Sequence, residues 1–217
     1  MKRAFVFCLL VLMSTACLQA TKSTEIEPPA KSSSALKATM IEEDPAKFVL
    51  QEEDLPPGFN FDIGWYQDLE ARASLWNDPE ERRRQLLEWG YINSYINRFM
   101  RDFDSPIVFI EPYIILSKVS RYETPEGAKK AYDYQIHRWT YEEGYKRISS
   151  LDIGDEGELL KYTFKVEDSD FSYYVVWFRY QNTVDSVLVG GFVGSPNRDE
   201  TVSLAKRIEG RLENYEK

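Results

Sequence analysis

The chain is predicted to fold as an α+β domain, with helices packed on an antiparallel β-sheet. Several segments alternate polar and apolar residues and follow one another across short polar turns, which favours antiparallel pairing. Capped segments with helical periodicity separate or close these runs. The predicted order is β-α-β-β-α-β-β-β-α, which is typical of a sheet covered by helices.

The folded part is expected to span residues 46–217 and to open with an extended stretch from Lys47. This stretch turns at Pro56-Pro57-Gly58, where two fixed φ angles precede a permissive glycine. The first helix follows, with Asp78 as its cap and Pro79 at its first position. Gly90 marks its end.

Two strands and a second helix come next. The strands are predicted over Tyr91–Met100 and Ile107–Tyr122, and Pro112 marks a bulge or an edge in the second. Thr124 caps the helix, which carries an apolar stripe at helical spacing. The stripe comprises Ala128, Tyr132, Ile136 and Trp139.

The C-terminal part predicts three strands and a final helix. The strands are Leu159–Val166, Phe171–Tyr180 and Val184–Phe192, joined by short polar turns. Both faces of Phe171–Tyr180 are largely apolar, so this strand is expected at the centre of the sheet. Asn197 caps the last helix.

Cys17 points to export and lipid attachment. Lys2 and Arg3 precede a short apolar run, and Ser14-Thr15-Ala16 comes directly before the cysteine, as in a secretory signal. The pattern resembles the lipobox of bacterial lipoproteins, whose cysteine receives a diacylglyceryl group. Residues 1–16 are therefore predicted as the signal peptide. An ordinary secretory cut after Ala16 or Ala20 is the alternative.

Residues 17–45 are predicted as the lipidated cysteine and a flexible tether, because they lack a sustained apolar period. The whole chain has a formal net charge of −9, and loss of Lys2 and Arg3 with the signal would make it −11. An acidic protein is not expected to bind nucleic acid or to dock through a polybasic patch. The predicted membrane contact is therefore through acyl chains on Cys17.

The search for catalytic chemistry gives no enzyme prediction. His137 is the only histidine, and loss of the signal leaves Cys17 as the only thiol, so no metal or Cys–His constellation is expected. Asp155 and Glu156 belong to an acidic turn that also holds Asp152 and Glu158. A solvated turn is the preferred interpretation, and a carboxylate-based hydrolase is the alternative. No catalytic residue, metal or cofactor is predicted.

Aromatic residues give the one candidate ligand site. Tyr173, Trp177 and Arg179 share one face of a predicted strand, which suggests an aromatic pocket with a cationic group for an anionic ligand. The alternative is a closed core, with Arg179 reaching water at the strand end. Two groups of residues suit either carbohydrate stacking or core packing, namely Trp65-Tyr66 and the run Trp139, Tyr141 and Tyr145.

Short strings resemble those of exported bacterial lipoproteins of unknown function. They are Asp54-Leu55-Pro56-Pro57-Gly58-Phe59, Trp89-Gly90-Tyr91, Glu126-Gly127-Ala128 and Gly154-Asp155-Glu156. More loosely, the chain is similar to PsbP-like lipoproteins and to mycobacterial kinase sensor domains. The resemblance implies a sheet with helices presented outside the membrane, in a binding or sensing role. Those sensor domains carry disulfides, whereas residues 46–217 contain no cysteine.

The expected function is a lipid-anchored extracytoplasmic binding or protein-interaction module without catalytic activity. Its expected partners are the membrane and either a small molecule or an envelope protein. A carrier of a small apolar or amphipathic ligand in an aromatic cavity is the alternative. The expected location is the cell envelope, on the extracytoplasmic side of a membrane.

Overall fold

The computed structural model describes residues 40–101, 111–166 and 168–215. A seven-stranded antiparallel sheet forms the centre of the fold. This architecture confirms the predicted α+β class. The strands are β1 (Asn60–Gln67), β2 (Tyr91–Met100), β3 (Ile114–Tyr122), β4 (Lys146–Leu151), β5 (Glu156–Val166), β6 (Ser169–Tyr180) and β7 (Thr183–Phe192).

The sheet joins two meanders through its central strands. Its order is β1-β2-β3-β7-β6-β5-β4, and every neighbouring pair is antiparallel. The β3–β7 pair places Lys118 opposite Ser186. β6 lies between β5 and β7, and Val175 and Val176 are buried on its two faces. The predicted central position of this strand is therefore confirmed.

Within the described ranges, four α-helices cover both faces of the sheet. They are α1 (Leu69–Ala73), α2 (Pro79–Glu88), α3 (Pro125–His137) and α4 (Arg198–Tyr215). A π-helical turn, Arg138–Glu142, extends α3. The predicted caps are present, because Asp78, Thr124 and Asn197 each accept a hydrogen bond from a backbone N–H group in the first turn that follows.

Each face of the sheet has its own apolar core. On one face, Leu204, Ile208 and Leu212 of α4 pack with Phe99 and Phe178. On the other face, residues of α1, α2 and α3 pack with residues of β2, β3, β5, β6 and β7. The helices are therefore split between the faces, and the second face positions the candidate site.

The structure has one strand more than the predicted order. The extended stretch predicted from Lys47 is not a strand, because short 3₁₀ turns and irregular backbone occupy this part of the chain. The first strand, β1, follows the Pro56-Pro57-Gly58 turn. β4 has little apolar pattern because it is an exposed edge strand. The strand predicted over Ile107–Tyr122 begins at Ile114, after Pro112, and residues 102–110 lie outside the described part.

The described chain begins at Met40, within the segment that the sequence predicts as tether. Ile41 is buried, and its backbone N–H and C=O groups bond with the side-chain amide of Asn182 at 2.8 and 3.1 Å. Residues 40–45 therefore contact the domain. The predicted signal peptide, Cys17 and the remainder of the tether lie outside the described residues.

Candidate functional site

Tyr173 and Trp177 lie on the same face of β6, as the alternation predicts, but they belong to packed aromatic clusters. Trp177 is only 4% exposed, and its ring centre lies 5.5 Å from that of Trp139. Tyr173 is half-buried, 5.3 Å from the ring of Phe164. Trp139 also packs 4.4 Å from Tyr145. This arrangement is the core packing that the sequence left as the alternative to a pocket.

Arg179 is neutralised by two carboxylates. Its Nη1 lies 2.7 Å from Asp155 Oδ2, and its Nε donates to Glu156 Oε1 at 2.7 Å. A further hydrogen bond of 3.0 Å joins Nη1 to the carbonyl oxygen of Gln181. The guanidinium therefore fastens the β6–β7 turn to the start of β5. Anion binding by Tyr173, Trp177 and Arg179 stays a prediction that this geometry does not support.

An open cleft lies beside this core, between the C-terminal end of α3 and strands β4 and β5. Its volume is about 690 Å³, which is within the range of small-molecule sites. We call it the α3–β5 cleft. Its lining includes Tyr132, His137, Tyr141, Arg147, Glu156 and Glu158.

The α3–β5 cleft contains one buried hydroxyl without a hydrogen bond and one buried carboxylate oxygen that is held by an ion pair alone. Tyr132 is 4% exposed, and its hydroxyl group has no hydrogen-bond partner among the described residues. Glu158 is 9% exposed, and its Oε2 atom likewise accepts no hydrogen bond. Burial raises the pKa of Tyr132, and the charges of Glu158 and Glu156 raise it further. Tyr132 and both carboxylates line the same cleft.

Basic side chains balance the carboxylates around the cleft. Arg147 Nε lies 3.3 Å from Glu158 Oε2, and Ser150 Oγ donates to the other Glu158 oxygen at 3.1 Å. Glu156 is held by Arg179 and, at 3.5 Å, by Lys129. These ion pairs leave little net charge in the cleft, so a neutral polar ligand suits it better than an ion.

One wall of the cleft is aromatic and accessible. Tyr141 on the π-helical turn is 79% exposed, and its ring centre lies 4.8 Å from that of His137, at 30°. Of the aromatic residues that the sequence proposed for carbohydrate stacking, Tyr141 lines this cleft and is exposed. Trp139 is half-buried and Tyr145 is buried, and Trp65 and Tyr66 lie on β1, at the other edge of the sheet. A sugar ring can stack on such an aromatic face while its hydroxyl groups reach the polar floor.

The structure separates the acidic residues that the sequence grouped around Gly154. Glu156 and Glu158 line the cleft, whereas Asp155 accepts a hydrogen bond from the backbone N–H of Gln181 at 2.7 Å. The described residues contain no cluster of three or more His, Cys, Asp and Glu side chains suited to hold a metal ion. Hydrogen bonding to a ligand is what this arrangement can do most directly.

Sequence reasoning missed the role of Tyr132 and Arg147. Tyr132 occurs in an apolar helical stripe and is buried as that stripe predicts, but a tyrosine carries a hydroxyl that needs a partner. The need of a buried tyrosine hydroxyl for a hydrogen-bond partner was the signal in the sequence that could have indicated Tyr132. No sequence signal marked Arg147, because strand β4, which places it opposite Leu160, was not predicted.

Fold and cleft together define an α+β domain with an antiparallel sheet, helices on both faces and a polar cleft at one edge. The extracellular domain of PknH from Mycobacterium tuberculosis has a similar structure, with a TM-score of 0.57 at 10% sequence identity. The match covers 82% of this chain and 99% of that domain. At this identity the likeness concerns the fold.

Comparison of sequences gives no family for the chain. No protein-family model matches it, and no curated protein is significantly similar. Within the described ranges, none of the helices has both the length and the apolar character needed to cross a membrane.

Proposed function

We propose that the protein is a non-catalytic binding module, anchored outside the cytoplasm by lipid on Cys17, that holds a neutral saccharide in the α3–β5 cleft. The signal-like N-terminus and the fold shared with a domain described as extracellular support the location. Metabolic labelling with a fatty-acid analogue tests the anchor. Incorporation by the Cys17→Ala variant equal to that of the wild type would remove lipidation from the proposal.

The saccharide assignment depends chiefly on the unpartnered hydroxyl of Tyr132. A buried hydroxyl without a hydrogen bond destabilises the free protein, and a ligand hydroxyl can satisfy it. Glu158, whose Oε2 atom is ion-paired with Arg147, is an acceptor in the same cleft for the hydroxyl groups of such a ligand. Tyr141 offers the apolar surface on which a sugar ring stacks. This combination favours a saccharide over the apolar ligand of a carrier.

Isothermal titration calorimetry with neutral trisaccharides of glucose and of N-acetylglucosamine tests the ligand class. We expect Tyr132→Phe to weaken binding about two- to tenfold, as loss of one neutral hydrogen bond does. The same variant should unfold no more easily than the wild type, because the hydroxyl has no partner in the free protein. Tyr215→Phe, which changes an exposed tyrosine at the end of α4, is the matched control.

Two results would overturn this proposal. Absence of binding by the wild-type protein to both trisaccharides would remove the saccharide assignment. Release of reducing ends from longer glycans, lost in the Asp155→Ala and Glu156→Ala variants, would show a hydrolase instead of a binding module.

A further inference from the structure

A second cavity lies where the Pro56-Pro57-Gly58 turn, the end of β2, the start of β3 and the start of α4 meet. Its volume is about 430 Å³, which is within the range of small-molecule sites. We call it the α4 cavity. Its lining includes Arg101, Glu111, Pro112, Ser195, Asn197 and Glu200. None of these residues lines the α3–β5 cleft, so a ligand here does not depend on saccharide binding there.

One buried residue of the α4 cavity carries a hydroxyl group without a hydrogen bond. Ser195 is 7% exposed, and its Oγ atom has no partner among the described residues. The absence of a side chain at Gly191 makes room for this hydroxyl, since a Cβ there would lie 2.1 Å from Ser195 Oγ and 3.2 Å from Pro112 Cα. Buried hydroxyl groups are ordinarily hydrogen-bonded, so Ser195 indicates a ligand that supplies the partner.

Arg101 is the cation among the described residues that line the α4 cavity, and its guanidinium is already engaged. Its Nη2 lies 2.7 Å from Glu111 Oε2, and its Nε donates to the carbonyl oxygen of Pro112 at 2.9 Å. The guanidinium carbon also lies 4.4 Å from the ring centre of Phe59. These contacts fix Arg101 in the wall of the cavity, so it is not a free cation for an anionic ligand.

Glu200 contributes a carboxylate without a counterion. The residue is half-buried, and in the described part of the chain no basic side chain lies within ion-pair distance of it. Burial raises the pKa of Glu200, the charge of Arg101 lowers it, and the charge of Glu111 raises it. With one guanidinium and two carboxylates, the lining has an excess of negative charge.

The first turn of α4 does not favour an anion in this cavity. Asn197 Oδ1 accepts hydrogen bonds from the backbone N–H groups of Asp199 and Glu200, at 2.8 and 3.5 Å. The N–H group of Thr201 donates to the carbonyl oxygen of Asn197 at 3.1 Å. These donors of the helix start are therefore occupied. The formal charge of the whole chain, −9, likewise attracts cations.

We propose that the α4 cavity binds the ammonium group of a small alkylamine. An ammonium group carries one positive charge and three N–H donors, so it can pair with the Glu200 carboxylate and donate a hydrogen bond to Ser195 Oγ. The methylene groups of a short alkyl chain suit the proline side of the lining, which consists of Pro56, Pro57 and Pro112. The volume suits a small molecule of this kind.

Calorimetric titration and thermal unfolding of the full protein test the proposal. The probes are n-butylammonium chloride and 1,4-diaminobutane dihydrochloride, and the reference is tetramethylammonium chloride at equal ionic strength, which has the charge but no N–H donor. We expect at least one primary amine to bind and raise the melting temperature. Glu200→Gln should weaken that binding at least tenfold. Glu213→Gln, which changes an exposed glutamate of the same helix, should stay within twofold of the wild type.

Ser195→Ala tests the hydroxyl group separately. It should weaken amine binding about two- to tenfold, as loss of one hydrogen bond does. It should not lower the melting temperature of the free protein, because the hydroxyl has no partner there.

Three results would overturn the proposal. They are failure of both primary amines to bind the wild type, equal binding by the wild type and Glu200→Gln, and binding of tetramethylammonium as tight as that of the primary amines. The last result would show attraction by charge alone. If Glu200→Gln does not fold, Ser195→Ala replaces it in the same comparison.

Discussion

Replacing Lys118 by methionine tests whether the buried ammonium group destabilises the fold. Lys118 is 8% exposed, lies in the centre of the sheet and has one hydrogen bond, of 3.4 Å. Methionine has a similar length and volume and carries no charge, so it is expected to fit the same space. Replacing a buried ion pair by apolar residues of similar volume is often neutral or stabilises a protein by about 1–4 kcal/mol, and an unpaired buried ammonium has less to compensate its lost hydration. We expect a gain in that range at pH 7.

The pH dependence of this gain follows from the direction of the pKa shift. Burial and the positive charges of Arg72 and Arg82 lower the pKa of Lys118 in the fold, so the unfolded chain binds the proton more tightly. Wild-type stability therefore rises with pH between the folded and the unfolded pKa, the latter being about 10.4. A full proton difference corresponds to about 1.4 kcal/mol per pH unit. The advantage of Lys118→Met should accordingly shrink as the pH rises towards 10.

Urea unfolding of the wild type and Lys118→Met between pH 7 and pH 10 measures both effects. Lys129→Met is the control, because Lys129 is an exposed lysine paired with Asp133, and its loss should change the free energy of unfolding by less than about 1 kcal/mol. A Lys118→Met variant less stable than the wild type would refute the reasoning. So would a difference between the two proteins that stays constant with pH.

Two further substitutions test the packing of the sheet and its helices. Burial raises the pKa of Asp185 well above its usual range, although Thr183 Oγ1 lies 2.8 Å from its carboxyl group. The stability that this carboxyl contributes is full below its unfolded pKa of about 3.9 and is lost at higher pH. Asp185→Asn should therefore be more stable than the wild type at pH 7 and closer to it at pH 4 in chemical unfolding; lower stability at pH 7 would contradict this. A Cβ on Gly127 would lie 2.0 Å from the Trp89 carbonyl oxygen, so Gly127→Ala should lose about 1–3 kcal/mol. Gly210→Ala meets open space in α4 and should gain about 0.5–1 kcal/mol in the same denaturant assay, and equal effects at the two glycines would be inconsistent with the steric argument.

The fold class and the order of its main elements could be predicted because local signals carry them. Asp78, Thr124 and Asn197 cap helices that begin where their sequences indicate. The apolar character of both faces of β6 predicted its central place in the sheet. Strands β1 and β4 are edge strands with exposed residues, so they lack the burial pattern that identifies a strand.

The candidate sites and the burial of charged side chains depend on tertiary contacts that local sequence patterns do not predict. Leu86, Leu87 and Trp89 are the apolar residues at the end of α2, yet Leu87 is 51% exposed and Arg82 only 2%. Arg82 lies one turn before Leu86 and so shares its side of the helix. Whether an arginine there is enclosed depends on rings supplied by the preceding loop and by α3, which no local pattern reveals.

By itself, the sequence determined the α+β class, the helix caps, the central strand and the prediction of a lipid anchor, because each depends on residues close together in the chain. The tertiary structure decided which polar and charged side chains are paired and which are buried without a partner. It paired Arg179 with Asp155 and Glu156, left the Tyr132 hydroxyl without a partner, and buried Arg82 without a carboxylate. Charge pairing and desolvation depend on groups that meet only after the strands and helices pack, so the fold alone assigns them.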